Sequence, residues 1–438
     1  MVVLLDDSGE SVYDFDLGSN FGKDRQIHEM TEMLDANDID RLRETVLCTS
    51  DRLLDNSLRA RAWPLFIGQD PNLDVYMKSL SEKTSGEESH KDTDQVQKDV
   101  DRSFIYLCDT AGEHSEIPHL RKRLFNVIMK VLEAIPGINY YQGYHDVATM
   151  VVLAFEDDYE AFQFLYILTL RYLRDHMMTS IRPTIKQLDI IPELLSHIDY
   201  DLYLILEPSP PVYALSSIIS LFTHDITNIA DISLIWDFIF ACDEPQLIIY
   251  IYTALLIYYK DDIITDLNEM SDSSIDSAGS RYDTDIVHAV LNKFIRIHLS
   301  IDSIDSKLEV YNVLKLALDI RKKIPLTKLK TFRHISKFSF LKSKSTSITV
   351  LALQIKEHQQ YESQLNKKRY ITEKLNNSQL LKRELRRSPI LIKASLGVCI
   401  LGVILHTTYK NSGIKVGIGN ELARNVIALW NCMKDTLK

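Results

Sequence analysis

The chain has 438 residues, 45% of them hydrophobic and 25% charged, the balance of a globular protein and not of a disordered one. Its 14 glycines and 12 prolines are few for that length and disfavour a loop-rich all-β protein. The formal net charge of −11 hides an asymmetry: residues 321–388 hold 18 Lys+Arg against 4 Asp+Glu, a local +14 that leaves −25 for the rest of the chain.

Residues 1–27 are polar, acidic and Gly/Ser-containing, and read as a disordered tail. Met1-Val2-Val3-Leu4-Leu5 has no basic region before it and is too short for a signal peptide. Helical periodicity begins near Ile27 and runs through Leu42, and a second block opens near Ser57. Residues 81–95 hold almost no apolar side chain and read as a solvated acidic loop. From Leu120 to Tyr259 apolar runs alternate with short breakers such as Pro136-Gly137, Pro183, Pro192 and Pro245. Each run is long enough for a helix and none alternates with period two, so the body is all-α. The run Leu247–Tyr259 is about 13 residues, below spanning length, and reads as a core helix. A second acidic loop covers 264–285 and is followed by helices from Thr284 to about Ser300 and from Lys307 to Lys322.

The basic region 321–388 reads as a linker plus a charged helix near 348–386. Residues 389–409 follow, with Lys393 near one end and no charge from Ala394 to Tyr409. Twenty-one residues suffice for a spanning helix at about 1.5 Å each, so this segment reads as a transmembrane helix. Its short, moderately apolar composition suits a thin bilayer such as the endoplasmic reticulum or early Golgi. The basic excess upstream puts the large N-terminal body in the cytosol and against anionic lipid. Residues 410–438 are a short C-terminal tail. Five cysteines are scattered without a CxxC pair or a Cys/His cluster, which indicates reduced thiols and no metal site. The basic stretch carries no groove-reading motif, which argues against nucleic acid.

Two stretches carry chemistry. In Val96-Gln97-Lys98-Asp99-Val100-Asp101-Arg102, Asp99 and Arg102 lie three apart, close enough to pair on a helical turn. In Ile138-Asn139-Tyr140-Tyr141-Gln142-Gly143-Tyr144-His145-Asp146, a helix is expected to start near Tyr140 after the Pro136-Gly137 break. Val147, Met150, Val151 and Ala154 then share one face, and Gln142, His145, Asp146 and Thr149 share another. Taken singly, each stretch is equally compatible with an ordinary surface ion pair and a surface glutamine.

Together they resemble the TBC domain (Tre-2/Bub2/Cdc16) of Rab GTPase-activating proteins. Val96, Asp99 and Arg102 match an Ile-x-x-Asp-x-x-Arg motif, with Val for Ile. Tyr140, Gln142 and Gly143 match the Tyr-x-Gln-Gly-like motif that follows, and Asp146 matches an Asp after it. Arg59, Trp63 and Gly68 resemble the opening of that domain, and Trp236-Asp237 its Trp-Asp pair. The resemblance covers about residues 57–300, and the whole domain would run over 28–320. It departs at the third motif: a tryptophan is expected before Leu221-Phe222, where Ser216-Ser217 stands instead. With the apolar C-terminal segment, the chain looks most like the endoplasmic-reticulum-anchored branch of the family, associated with early secretory GTPases.

The resemblance implies an activator of a Rab-type GTPase. Arg102 would act as an arginine finger and Gln142 as a glutamine finger in trans, with Asp99 and Tyr140 in support. GTP and Mg²⁺ would be carried by the partner, and no cofactor of the chain's own is implied. The alternative is a catalytically inactive TBC-type module that binds or tethers a GTPase or effector at the membrane; both fingers being present favours the active form. The decoy Gly18-Ser19-Asn20-Phe21-Gly22-Lys23-Asp24 lacks the spacing of a phosphate-binding loop.

Overall fold

The computed structural model describes residues 2–5, 11–15, 20–49, 52–68, 90–104, 116–226, 228–271, 282–299, 304–345 and 347–387. It is helical throughout except at the start, where β1 (Val2–Leu5) pairs antiparallel with β2 (Ser11–Phe15). The first helix, α1 (Asn20–Asp35), begins seven residues before the apolar periodicity does. The periodic run expected to continue through Leu42 is cut at Asn37, whose φ of 54° lies in the left-handed region. Asp38 then caps α2 (Ile39–Cys48) by accepting the amide N–H of Arg41.

α3 (Asn56–Phe66) is capped by Asp55, which accepts from Leu58 N at 2.8 Å. α4 (Thr93–Asp101) occupies the end of the expected 81–95 loop, of which residues 81–89 lie outside the described residues. α5 (Ile117–Ala134), α6 (Tyr144–Ala154) and α7 (Asp158–Leu168) pack on one another. One π-helical turn, Thr169–Leu173, follows α7 directly.

The chain continues through α8 (Arg182–Leu188), α9 (Ile190–Ile198), α10 (Tyr200–Leu206) and α11 (Leu215–Ile219). Next come α12 (Ile229–Cys242) and α13 (Leu247–Tyr258). Leu247 to Leu256 are all buried, as a core helix that is apolar all round requires. α14 (Lys260–Met270) turns the first part of the expected acidic loop into helix, with Ile263 and Leu267 as its buried stripe. α15 (Thr284–His298) and α16 (Ile304–Lys323) follow, and α16 lies along α13.

The largest correction concerns residues 321–388. Their first part is not a linker. α17 (Lys330–His334) and the first three turns of α18 (Ile348–Arg387) belong to the same compact unit as everything before them, which ends at Gln359. Leu326, Leu329, Phe332, Ile335, Phe340, Leu341, Ile348, Leu351 and Ile355 are all buried there. The basic side chains that dominate the composition, such as Lys328, Lys330, Arg333, Lys337 and Lys344, are exposed between those apolar anchors. A count of charge therefore read as linker what is an amphipathic cover. Among the described residues no helix is long and apolar enough to cross a membrane. The expected spanning segment 389–409 and the tail 410–438 lie outside the described residues.

Candidate functional site

α4 is amphipathic. Val96, Asp99 and Val100 point inward, and the helix packs against α5 and α6. Arg102 is its C-cap, so the guanidinium leaves the domain just where the helix stops. Its side chain is 49% exposed and that of Asp99 only 2%, with Nη2 to Oδ1 at 2.8 Å. A buried carboxylate therefore fastens one edge of an outward-facing fork, and the other edge stays available. Asp99 is itself held. It accepts from Gln95 Nε2 at 3.2 Å and from the Tyr140 hydroxyl at 2.8 Å.

Tyr140 belongs to the second stretch, which is not helical where sequence periodicity expected it to be. The segment from Ile138 to Gly143 is a turn. Gly143 takes φ 108° as the N-cap residue of α6, which begins at Tyr144. That φ suits glycine and strains any other residue. Four anchors fix the turn. Asn139 N donates to Met177 O at 2.8 Å, and its side-chain amide donates to the same oxygen at 3.1 Å. Tyr140 N donates to Asp92 Oδ2 at 2.9 Å, and the Tyr141 hydroxyl donates to Ile219 O at 2.6 Å. Gln142 is exposed at the tip. Its side chain makes no hydrogen bond to another described residue, while both neighbouring tyrosines are tied down.

The expected polar face of α6 is not a surface. His145 and Thr149 are 5% and 2% exposed. Thr149 Oγ1 donates back to His145 O at 2.8 Å. The His145 ring lies 3.2 Å from the Tyr140 hydroxyl and 3.6 Å from Asp99 at Nδ1, and 3.1 Å from Asp146 at Nε2. Asp146 in turn meets His224 Nδ1 at 3.0 Å. A continuous polar chain thus runs from Arg102 through Asp99, Tyr140, His145 and Asp146 to His224. Burial lowers the His145 pKa, opposed by Asp146 and Asp99. The hydrogen bond to Asp146 raises that of the half-exposed His224. Burial, with the Asp99 hydrogen bond second, raises that of Tyr140 and keeps its hydroxyl a donor.

His224 is a member of the network that sequence reasoning missed. The turn that presents it is where the third motif departs. Leu221 and Phe222 have φ 52° and 68°. Where a tryptophan was expected, Ser216 and Ser217 donate to Asp225 at 3.3 and 2.6 Å. Trp236 Nε1 closes the turn on Leu221 O at 3.0 Å. The only hint in the sequence was a histidine and an aspartate, His224-Asp225, one residue beyond the Leu-Phe pair.

Behind this surface, the remaining motif residues form one buried joint. Asp237 on α12 accepts from Arg59 Nε and Nη2, from Trp63 Nε1 at 2.8 Å, and from Leu53 N at 3.3 Å. Burial raises the Asp237 pKa, and Arg59, with its guanidinium 3.1 Å away, opposes that shift most. The Trp63 ring packs on Phe155, Phe164, Trp236 and Phe240 with centroids 5.4 to 6.4 Å apart. Gly68 ends the segment at φ 84°. Arg59, Trp63, Trp236 and Asp237 are therefore architectural, pinning α3 to α12. Among the described residues no group of His, Cys, Asp or Glu could hold a metal ion.

The class these features define is a helical domain that presents a fastened arginine and an exposed glutamine on one polar network. Residues 56–264 match the model of the Rab-GTPase-TBC domain. That stretch is just under half of the chain, and over it the chain is similar to the TBC domain of Rab GTPase-activating proteins. Among curated proteins it is similar to GTPase-activating protein GYP8 of Saccharomyces cerevisiae, 29% identical over 249 residues, which are 50% of this chain and 48% of that one. It is also similar to TBC1 domain family member 20 of Homo sapiens, 25% identical over 264 residues, 59% of this chain and 62% of that one. The chain thus spans about half to three-fifths of the length of these relatives. Among solved structures, the Chlamydomonas flagellar RabGAP TBC domain aligns with a TM-score of 0.46 at 14% identity, over 68% of this chain and 93% of that one.

Proposed function

We propose that this chain accelerates GTP hydrolysis by a Rab-family small GTPase of the early secretory pathway. Arg102 and Gln142 enter the partner's nucleotide site in trans. The observation that carries this reading is Tyr140. It stands two residues before the exposed Gln142 and hydrogen-bonds the buried Asp99 that fastens Arg102. Two solvent-facing side chains of the right chemistry are thereby set on one rigid support, which a pair of incidental surface residues would not need.

The partner carries GTP and Mg²⁺. A guanidinium stays charged and donates several hydrogen bonds in a planar fork, so Arg102 can offset charge developing on the transferred phosphoryl group. Fingers of this kind are worth about 10³ to 10⁵ in rate. The Gln142 amide can accept from and donate to the attacking water. Asp99 holds Arg102 without neutralising its free edge. The chain supplies no nucleophile and forms no covalent intermediate.

The body is placed on the cytosolic face of the endoplasmic reticulum or early Golgi. Supporting this are the apolar run 389–409 and the lysines and arginines before it. Single-turnover GTP hydrolysis by a panel of purified Rab proteins tests the activity. Acceleration of one or a few members, reduced about 10³-fold by Arg102→Ala, is expected. A well-folded chain that binds a Rab in its GTP form and leaves its hydrolysis rate unchanged would overturn the reading.

A further inference from the structure

Residues 174–177, just after the π-helical turn, face two ways. Toward the C-terminal part of the unit, Arg174 Nη2 donates to Phe338 O at 3.1 Å and to Gln354 Oε1 at 2.8 Å. Asp175 is fully buried and accepts from Gln187 Nε2 at 2.7 Å, from Ser339 Oγ and from Phe340 N at 3.3 Å. The His358 ring, also fully buried, lies 3.5 Å from its other oxygen. Toward the glutamine turn, the His176 ring stands edge-on to Tyr141 at 6.2 Å and to Phe340 at 5.5 Å. Met177 O accepts from both the backbone N–H and the side-chain amide of Asn139, whose Oδ1 also accepts from Lys91 Nζ. A direct link bypasses this segment: Gln359 Nε2 donates to Gly137 O, at the start of the turn. Gly137 has φ +85°, which favours glycine, and a Cβ there would come within 2.5 Å of Gln359 Nε2 and displace that side-chain amide.

We infer that the segment from Phe338 to Gln359, beyond the 56–264 family match, positions the glutamine turn, with Gln354 and Gln359 as positioning residues that act on hydrolysis through Gln142. The inference rests on the function proposed above. Its physical basis is economy of anchors. The exposed tip makes no hydrogen bond to another described residue, so its placement is set by Asn139, Tyr140 and Tyr141. Asn139 is held by Met177, and the Tyr141 ring abuts His176, two residues of the segment that the C-terminal cover grips. Arg102 is fastened by Asp99 on α4, which meets the turn through the Tyr140 hydroxyl, whereas the cover grips the segment that holds Asn139 and Tyr141, so it acts on Gln142 more than on Arg102.

The test uses the whole 438-residue chain and the GTP-loaded Rab protein it accelerates most. Gln359→Glu keeps size and loses the donor to Gly137 O. Gln354→Leu removes the acceptor from Arg174. The double variant should lower kcat about 10-fold, the rate equivalent of losing one or two hydrogen bonds, with KM for the Rab protein changed less than about twofold. The effect should disappear in a Gln142→Ala background and persist in an Arg102→Ala background, since only groups that act together are non-additive. Hydrogen exchange at the Asn139 and Tyr140 amides should also speed up in the double variant. Equal kcat for variant and parent, or an equal loss in both finger backgrounds, would overturn the inference. If the parent accelerates no Rab protein, the function falls, and exchange alone then decides the coupling: unchanged exchange overturns it and faster exchange upholds it.

Discussion

At the scale of single residues, the site is an exercise in burying the holder and exposing the held. Asp99 is almost fully buried yet keeps its charge partnered, by Arg102, Gln95 and the Tyr140 hydroxyl. A buried carboxylate is tolerated only when its lone pairs are so filled. Tyr140→Phe removes one of those donors and the link between the fingers while keeping the ring against Tyr144. It should cost about 1 kcal/mol of stability and lower kcat about 10-fold, the size of a lost positioning contact. Steady-state kinetics beside urea unfolding would separate the two effects, and a loss of stability with no loss of kcat would contradict the linking role. Arg102→Lys should not rescue Arg102→Ala, since an ammonium cannot share itself between Asp99 and a phosphoryl group in one plane. A second residue-scale prediction concerns pH. Burial pushes the His176 pKa down from 6.5 to about 4, so below pH 6.5 the unfolded chain takes up a proton that the folded chain refuses. Stability from this group is complete above 6.5 and lost as pH falls toward 4, roughly 3 kcal/mol in all. His176→Gln should flatten the melting temperature against pH between 6.5 and 4.5 relative to the parent. An unchanged slope would mean that the ring protonates in place.

Among the elements, the helices legible in the sequence were those with a strong pattern of their own, a one-sided apolar stripe in α15 and a continuous apolar run in α13. α13, α15 and the long α18 fall within a few residues of where periodicity placed them. The opening and Trp-Asp residues were legible as a set too, and the structure brings Arg59, Trp63, Trp236 and Asp237 together from positions more than 170 apart. What failed was any reading that equated polar with exposed. Spacing alone put His145 and Thr149 on one face of α6 with Gln142 and Asp146, and it says nothing of what covers that face. They are buried because Tyr140, Asp99, Asp146 and a backbone carbonyl meet them there, partners that only tertiary structure supplies. The start of α6 slipped from Tyr140 to Tyr144 for a related reason. Periodicity cannot see a glycine at φ 108°, which ends the turn and caps the helix in one residue. The Asp237 joint yields the prediction at this scale. Asp237→Ala leaves Arg59 Nε and Nη2 and the Trp63 indole N–H buried without their acceptor, with Arg59 keeping only the neutral Asn56 amide oxygen, which should cost about 3–5 kcal/mol. Adding Arg59→Leu should recover part of that loss, because the orphaned charge dominates it. Urea unfolding of the single and double variants would measure both, and a double variant less stable than Asp237→Ala alone would refute the account.

For the whole molecule, the question is where the domain ends. Composition put a boundary at about residue 320, where basic residues take over. The family match stops earlier still, at 264. The compact unit runs to Gln359, because Phe332, Ile335, Phe340, Leu341, Ile348, Leu351 and Ile355 spend their apolar surface inside it. Each such side chain is worth about 1.5–3 kcal/mol when fully buried, so removing seven of them costs about 10–20 kcal/mol, as much as the 5–15 kcal/mol by which a domain is typically stable. Deleting residues 331–438 would also strip Asp175 of Ser339, Phe340 N and His358, leaving a buried carboxylate short of partners. A chain ending at Lys330 should therefore be insoluble or unfolded, although it contains every motif residue. One ending at Arg387 keeps the cover and loses only residues 388–438. It should melt cooperatively, retain kcat on a Rab protein in solution, and no longer sediment with microsomal membranes. Limited proteolysis, a thermal melt and a membrane pellet assay on the two truncations decide the matter. A folded, active chain ending at Lys330 would mean that the cover is dispensable, and with it the coupling to the glutamine turn. A chain ending at Arg387 that still pelleted with membranes would move attachment from 389–409 to the lysines and arginines of 321–387. Their hold on anionic lipid should then weaken steeply with salt, as a charge-driven contact does and an inserted helix does not.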